Sequence, residues 1–274
     1  MPAGFLQRLA AGEAAIDTPV MVVAAHPDDE VIGLGGQMPR LRHLALLHVT
    51  DGAPRDGRDA AAQGFASTQH YAAARRDELC AALQLAGIAP RWLDSLDIAD
   101  QGASLALPRI IGAIVDRLRA MRPGVVVTHP YEGGHPDHDA TALAVQAACG
   151  RLREEGGPVP ERVEMASYHA GPEGIEAGCF LPVAGAAPVV LPLSPAVRAL
   201  KQRMLDRFAT QRETLSFFPA GAEEPLRPAP KYDFRAPPHP GTLFYENHPW
   251  GMTGAGFRAL AAEALAGLER GGPA

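Results

Sequence analysis

Cysteine is scarce in this chain. Cys80, Cys149 and Cys179 are widely spaced, form no CxxC pair and leave an odd one over. That argues against a disulfide framework and fits a reducing, cytoplasmic setting. Excess positive charge is also lacking. Lys and Arg total 25 against 31 Asp and Glu, a net charge of −6. A nucleic-acid partner, which needs a basic field, is therefore not expected. Long apolar runs are missing as well. No stretch is long enough to span a bilayer, and residues 1–19 contain no apolar core of a signal peptide. Internal repeats, low-complexity tracts and a P-loop lysine motif are absent. What remains is a chain of 274 residues, 47 % apolar, with ample material for a core. The expected organisation is one domain over 1–274, with its core at about 19–170 and a variable segment at 171–274. The oligomeric state stays open, a homo-oligomer included.

From residue 19 to about 170 the pattern alternates strand and helix. Strands are expected at 19–25, 44–49, 91–93, 124–128 and 163–168. Helices are expected at 30–42, 67–87, 107–121 and 137–154. The strand segments Val20–Ala25 and Val125–Thr128 are short, apolar and non-alternating, as strands buried on both faces are. Such alternation predicts an α/β fold: a mainly parallel sheet with helices on both sides. After residue 170 the rhythm breaks. The spacing of Pro182, Pro188 and Pro192 suggests a hairpin at 177–192. A helix is expected at 195–216, with Ser194 as N-cap and Pro195 in its first turn. Residues 217–250 read as an ordered, irregular covering segment rich in Pro and aromatics, before a last helix at 254–269.

Chemistry concentrates where two of these strands end. His26-Pro27-Asp28-Asp29-Glu30 follows the first strand, and His135-Pro136-Asp137-His138 follows the fourth. In an open parallel sheet, ligands bind at the carboxyl ends of the strands. His26 and Asp29, three apart on a strand-to-helix turn, can aim at one point, and His138 supplies a third ligand. Two imidazoles and one carboxylate leave a coordination position open, as at catalytic rather than structural metal sites. Asp28 then stands beside the open position as a general base. His135 lies across it to stabilise an oxyanion or protonate a leaving amine, with Asp137 orienting that imidazole. Each cluster alone could be an ordinary turn, since Pro and Asp favour turns. The matched pair at strand ends favours the metal.

These residues resemble the PIG-L (LmbE-like) family of zinc-dependent N-acetylglucosaminyl deacetylases. The likeness rests on His26 to Glu30 followed by Gly33-Leu34-Gly35-Gly36, and on His135 to His138. Val49-Thr50-Asp51-Gly52 and Arg75-Arg76-Asp77-Glu78-Leu79 support it. It covers roughly residues 19–170. It implies a Rossmann-like three-layer α/β/α sandwich and hydrolysis of an N-acyl, usually N-acetyl, group from an amino sugar or glycoconjugate. It implies Zn2+ on His26, Asp29 and His138, with Asp28 as base and His135, beside Asp137, as electrophile. By ligand type alone, Fe2+ or Co2+ also suits the set.

Substrate contacts are expected from Arg55 and Arg58 after the second strand and from Asp100 after the third. For the arginines a solvated loop is an equal reading, and for Asp100 a turn. Arg75 and Glu78, three apart on a helix, read as a structural pair. Gly133-Gly134 is expected to let backbone approach a ligand. Tyr131 reads as a pocket wall or core residue, and Trp250, Tyr245 and His248 as core or sugar-stacking residues. Three other functions compete: an amidase for a larger acyl group, a nucleotide-binding Rossmann domain and a non-catalytic metal or sugar module. The nucleotide reading fails on charge, because a phosphate would meet Asp28, Asp29 and Glu30.

Overall fold

The computed structural model describes residues 4–270. The chain opens with α1 (Phe5–Ala10), β1 (Val20–Ala24), α2 (Asp29–Leu34), β2 (Leu44–Pro54), α3 (Arg58–Ala62) and α4 (Thr68–Leu85). It continues with β3 (Trp92–Asp100), α5 (Leu107–Met121), β4 (Val125–Thr128), α6 (Pro136–Glu154) and β5 (Glu161–Met165). The remainder comprises β6 (Tyr168–Gly171), β7 (Gly174–Ala177), β8 (Val189–Pro192), α7 (Pro195–Leu205), α8 (Arg212–Leu215), β9 (Glu223–Pro228) and α9 (Gly254–Glu269).

A seven-stranded sheet runs in the order β3-β2-β1-β4-β5-β9-β8. Its first five strands are parallel, and β9 and β8 add antiparallel. Strand order reverses between β1 and β4, which pair directly, Val20 opposite Val125. That crevice is the expected binding position in such a sheet. Every residue of β1 is buried. Val20, Val22 and Ala24 pack with α1, α2, α4 and α7 on one face, while Met21 and Val23 pack with α5, α6 and α9 on the other. Period-two geometry thus serves two cores, which is why the strand reads as a continuous apolar run. Helix α5 buries Leu107, Ile110, Ile111, Ile114, Val115 and Leu118, a stripe at helical spacing. Each such side chain contributes roughly 1.5–3 kcal/mol of transfer free energy. Among the described residues no helix is long and apolar enough to cross a membrane.

Several expected boundaries shift. β2 continues to Pro54 and β3 to Asp100, through the segments expected as loops. Asp94, Ser95 and Asp97 are poor strand formers, but pairing of Thr50 with Ile98 and Pro54 with Asp100 overrides them. The hairpin forms at β6–β7, not at 177–192, because Gly171 and Gly174 flank a two-residue reversal. β8 pairs instead with β9. Residues after 170 therefore extend the sheet as well as cover it. β9 escaped the sequence reading because Pro225 and Pro228 lie within it. The helix expected over 195–216 ends at Leu205, where the chain turns to bury Phe208, and α8 resumes it. Its start is as expected, Ser194 Oγ accepting from the Val197 N–H. Residues 229–253 are irregular apart from a turn of 3-10 helix, and lay Tyr232 and Phe234 against Tyr131.

Candidate metal and catalytic centre

The turn after β1 reverses direction at Asp28, whose φ of 138° is rare for any residue with a side chain. The surroundings hold it there. Its N–H donates to Glu30 Oε2 (3.3 Å), its carbonyl accepts from Val31 and Ile32 (both 2.9 Å), and Arg75 donates to its Oδ2 (2.8 Å). Glu30 is itself fixed by His48, at 2.9 Å from Nε2. Arg75 is buried and also donates to the carbonyls of Gly52 (2.6 Å) and Pro27 (3.0 Å). Gly52, at φ 70°, has no room for a Cβ: one would lie 2.5 Å from the guanidinium. Burial pushes the Asp28 carboxyl up to about 7, with Arg75 pulling the other way.

Asp29 sits among three imidazoles, with His129 Nε2 3.3 Å from its Oδ2. Its Oδ2 is 3.3 Å from His26 Nδ1 and its Oδ1 is 3.2 Å from His138 Nε2. Burial alone would raise this carboxyl, but His138 and His129 hold it well below its ordinary value. His138 turns its other nitrogen, Nδ1, to Ser167 Oγ at 3.1 Å, the kind of outer partner that orients a ligating imidazole. His26 is ringed by carboxylates, with Nε2 at 3.0 Å from Asp100 and 3.3 Å from Asp137. Burial disfavours its protonation, yet these carboxylates, Asp100 foremost, raise its pKa well above the ordinary value. The nitrogens of His26, His135 and His138 all lie within 4.8 Å of one another, as do the donor atoms of Asp29, His129 and His138. A buried set of imidazoles and carboxylates at this density fits a divalent cation of the zinc class.

His129 was not anticipated. It follows β4 directly, as His26 follows β1, and that position at a strand end was the signal available. Its ring stacks on His138 at 4.0 Å, and its Nε2 accepts the Ala25 N–H at 3.0 Å. That bond occupies the nitrogen facing Asp29, so His129 braces the set instead of joining it. Burial and the nearby His138 drop its pKa to about 4, keeping it neutral.

His135 is the N-cap of α6, its Nδ1 accepting the Asp137 N–H at 3.1 Å. The neutral ring therefore carries its proton on Nε2. Burial, then the charge of His26, lowers its pKa. It is the Asp137 backbone that orients this ring. The Asp137 carboxylate stands 4.0 Å away and instead accepts from Gln101 N (2.6 Å) and Ala103 N (2.9 Å), tying the end of β3 to α6. Asp100, expected at the substrate margin, lies inside the cluster, against His26 and 3.8 Å from His135 Nε2.

Arg55 and Arg58 stand apart. Both are largely exposed and pair with near neighbours in sequence, Asp51 (2.9 Å) and Asp56 (3.3 Å). Arg75, read as half of a helical pair with Glu78, grips Asp28, while Glu78 accepts from Thr210 N and Oγ1. At Gly134 it is protein backbone that approaches: a Cβ there would overlap the Tyr168 carbonyl. Tyr131 is core, its hydroxyl donating to the Ala236 carbonyl at 2.9 Å, and Tyr245 is buried too. Trp250 packs on His135 at 4.5 Å between ring centroids and stacks on His248 at 4.4 Å, partly open to solvent. The C-terminal segment thus walls the centre with aromatic rings.

With this geometry in view, comparison with known proteins gives a consistent result. Residues 21–149 match the family PIG-L, described as GlcNAc-PI de-N-acetylase. A 1D-myo-inositol 2-acetamido-2-deoxy-alpha-D-glucopyranoside deacetylase from Saccharopolyspora erythraea is 34 % identical over 152 residues, covering 47 % of this chain and 56 % of that protein. The match thus spans little more than half of that relative. A solved triple mutant of a deacetylase of teicoplanin biosynthesis superposes with a TM-score of 0.59 at 22 % identity, covering 79 % of this chain and 99 % of the other. The 4-carboxy-2-hydroxymuconate hydratase of Pseudomonas putida shares the fold at a TM-score of 0.56 and 17 % identity, covering 79 % of this chain and 98 % of that one. The architecture alone therefore does not choose the chemistry.

Proposed function

We propose that this chain, whose residues 21–149 match the PIG-L family, is a zinc-dependent hydrolase that removes an N-acetyl group from an amino sugar or its conjugate. The observation that carries the reading is one buried cluster. In it Asp29 lies between His26 and His138, while the neighbouring Asp28 is held by Arg75. His26, Asp29 and His138 would hold the metal, and Fe2+ or Co2+ suits the same donors. When bound, the metal supplies a Lewis acid that activates water and polarises the acyl carbonyl.

The protein's own groups account for the protons. Asp28 takes one proton from the attacking water, and its carboxyl, easily protonated in this buried place, returns it to the departing nitrogen. His135 presents Nε2–H to the oxyanion, because its Nδ1 is engaged by the Asp137 N–H. Water adds to the acyl carbon, the C–N bond breaks, and a free amine and acetate leave. Trp250 and His248 offer a flat apolar surface next to His135, suited to the apolar face of a pyranose.

The test is release of free amine from a panel of N-acetylglucosaminyl compounds, using metal-loaded and chelated enzyme. Release that is lost on chelation, regained with divalent metal and abolished by Asp28→Asn supports the proposal. Metal bound without release from any member, but with cleavage of a longer acyl chain, moves the assignment to a larger-acyl amidase. Failure to bind metal overturns the reading altogether.

A further inference from the structure

A second cluster of metal-type donors lies on the β6–β7 hairpin and the residues just after it, outside the centre described above. His169, Glu176 and Cys179 each bring a ligand atom to within 4.8 Å of the others. We infer that these three residues form a separate binding site for a thiophilic divalent cation of the zinc class.

Four observations favour a built site. His169 is buried, and its Nδ1 donates to the Ala170 carbonyl at 3.1 Å. That bond fixes the tautomer and turns the Nε2 lone pair to the Cys179 thiol, its hydrogen-bond partner in the absence of metal, with the second ring nitrogen engaged as in a ligating imidazole. Nε2 points at Cys179 Sγ across 3.7 Å. Tetrahedral zinc with ordinary Zn–N and Zn–S bonds separates those two atoms by ~3.6 Å. Glu176 is the cross-strand partner of His169. Its side chain folds over Gly171 into space that a Cβ there would occupy. Finally, the segment bearing Cys179 is anchored on both sides. The Gly178 N–H donates to the Ser167 carbonyl (2.8 Å) and the Leu181 N–H to Glu132 (2.8 Å), while the Arg227 guanidinium covers the Phe180 ring at 4.2 Å.

Side chains alternate along β6. Tyr168 packs against His138 of the catalytic cluster, and His169 faces the opposite way. A cation here would bind with loss of the thiol proton to solvent. It would staple the hairpin to the irregular segment that follows β7. Two-stranded hairpins are marginal on their own, so the staple would steady Tyr168 beside His138 without touching substrate.

Cobalt separates the two sites, because the catalytic set contains no thiolate. Co2+ added to the intact protein should produce a near-ultraviolet thiolate-to-cobalt charge-transfer band. The band should persist in His138→Ala and in Cys80→Ser, and disappear in Cys179→Ser and His169→Ala. Metal analysis should show one cation fewer in Cys179→Ser, with amine release retained. Unchanged metal-free melting of Cys179→Ser rules out misfolding as the cause of the loss. Absence of the band in protein shown to carry cobalt, or its survival in Cys179→Ser, overturns the inference. Loss of the catalytic cation with the band intact would instead count only against the catalytic assignment.

Discussion

The positive φ of Asp28 supports a two-variant experiment that separates backbone strain from chemistry. Asp28→Ala and Asp28→Gly both delete the carboxylate and the 2.8 Å contact with Arg75. They differ only in whether a Cβ is forced to φ 138°. A non-glycine residue in such a region costs about 1–3 kcal/mol. Glycine escapes that cost but gives up roughly 0.5–1 kcal/mol through the greater freedom of its unfolded chain. With mid-range values for both effects, the Gly variant is left more stable than the Ala variant by roughly 1 kcal/mol. Urea unfolding of the metal-free proteins, followed by circular dichroism, should therefore give a higher midpoint for Gly at equal slope. Both variants should be inactive while binding metal through His26, Asp29 and His138. An Ala variant as stable as Gly would refute the strain argument. Near-normal turnover in either would refute the role of Asp28.

Four further outcomes follow from particular positions. Trp250→Ala should raise KM roughly two- to tenfold for a sugar substrate, equivalent to about 0.5–1.5 kcal/mol of stacking, with a smaller change in kcat. An unchanged KM across the panel would remove Trp250 from the sugar site. Gly134→Ala should destabilise by about 1–3 kcal/mol because its methyl meets the Tyr168 carbonyl. In the same denaturation assay Gly150→Ala, about one turn before the end of α6 with open space around it, should stabilise by about 0.5–1 kcal/mol. Burial raises Glu132 to about 8 and Glu164 to about 7 although Arg227 pairs with both. Between the ordinary value of 4.5 and these values the folded state holds protons that the unfolded state has released. Their contribution to stability therefore falls as pH rises through that window. Glu132→Gln should make the fall shallower, and an unaltered pH slope of urea midpoints would count against it.

The parallel half of the fold was legible because burial on both faces leaves a mark that composition cannot hide. β1 and β4 are apolar runs with no alternation, and each ends in a His-bearing turn. Adjacency of β1 and β4 then brings residues a hundred positions apart to one point, so His26, Asp28, Asp29, His135 and His138 could be grouped from sequence. What stayed hidden depends on pairing instead of pattern. β9 carries two prolines and β3 four polar residues, and each is a strand because its neighbours supply hydrogen bonds that local propensity does not foretell.

The same distinction explains the site. A residue that acts through its own chemistry announces itself by type at a strand end, whereas one that acts by holding another does not. Arg75 looks like any helical arginine until Gly52, with no Cβ in the way, lets its guanidinium reach Asp28. Sequence position suggests a side-chain role for Asp137 toward His135, but its N–H performs that task while its carboxylate holds the turn that follows Asp100. Asp100 reaches His26 only because β3 runs seven residues beyond Leu93, its last expected position. The length of a strand thus decides whether an acidic residue faces solvent or completes a buried charge cluster, and single-sequence pattern reads strand length least well.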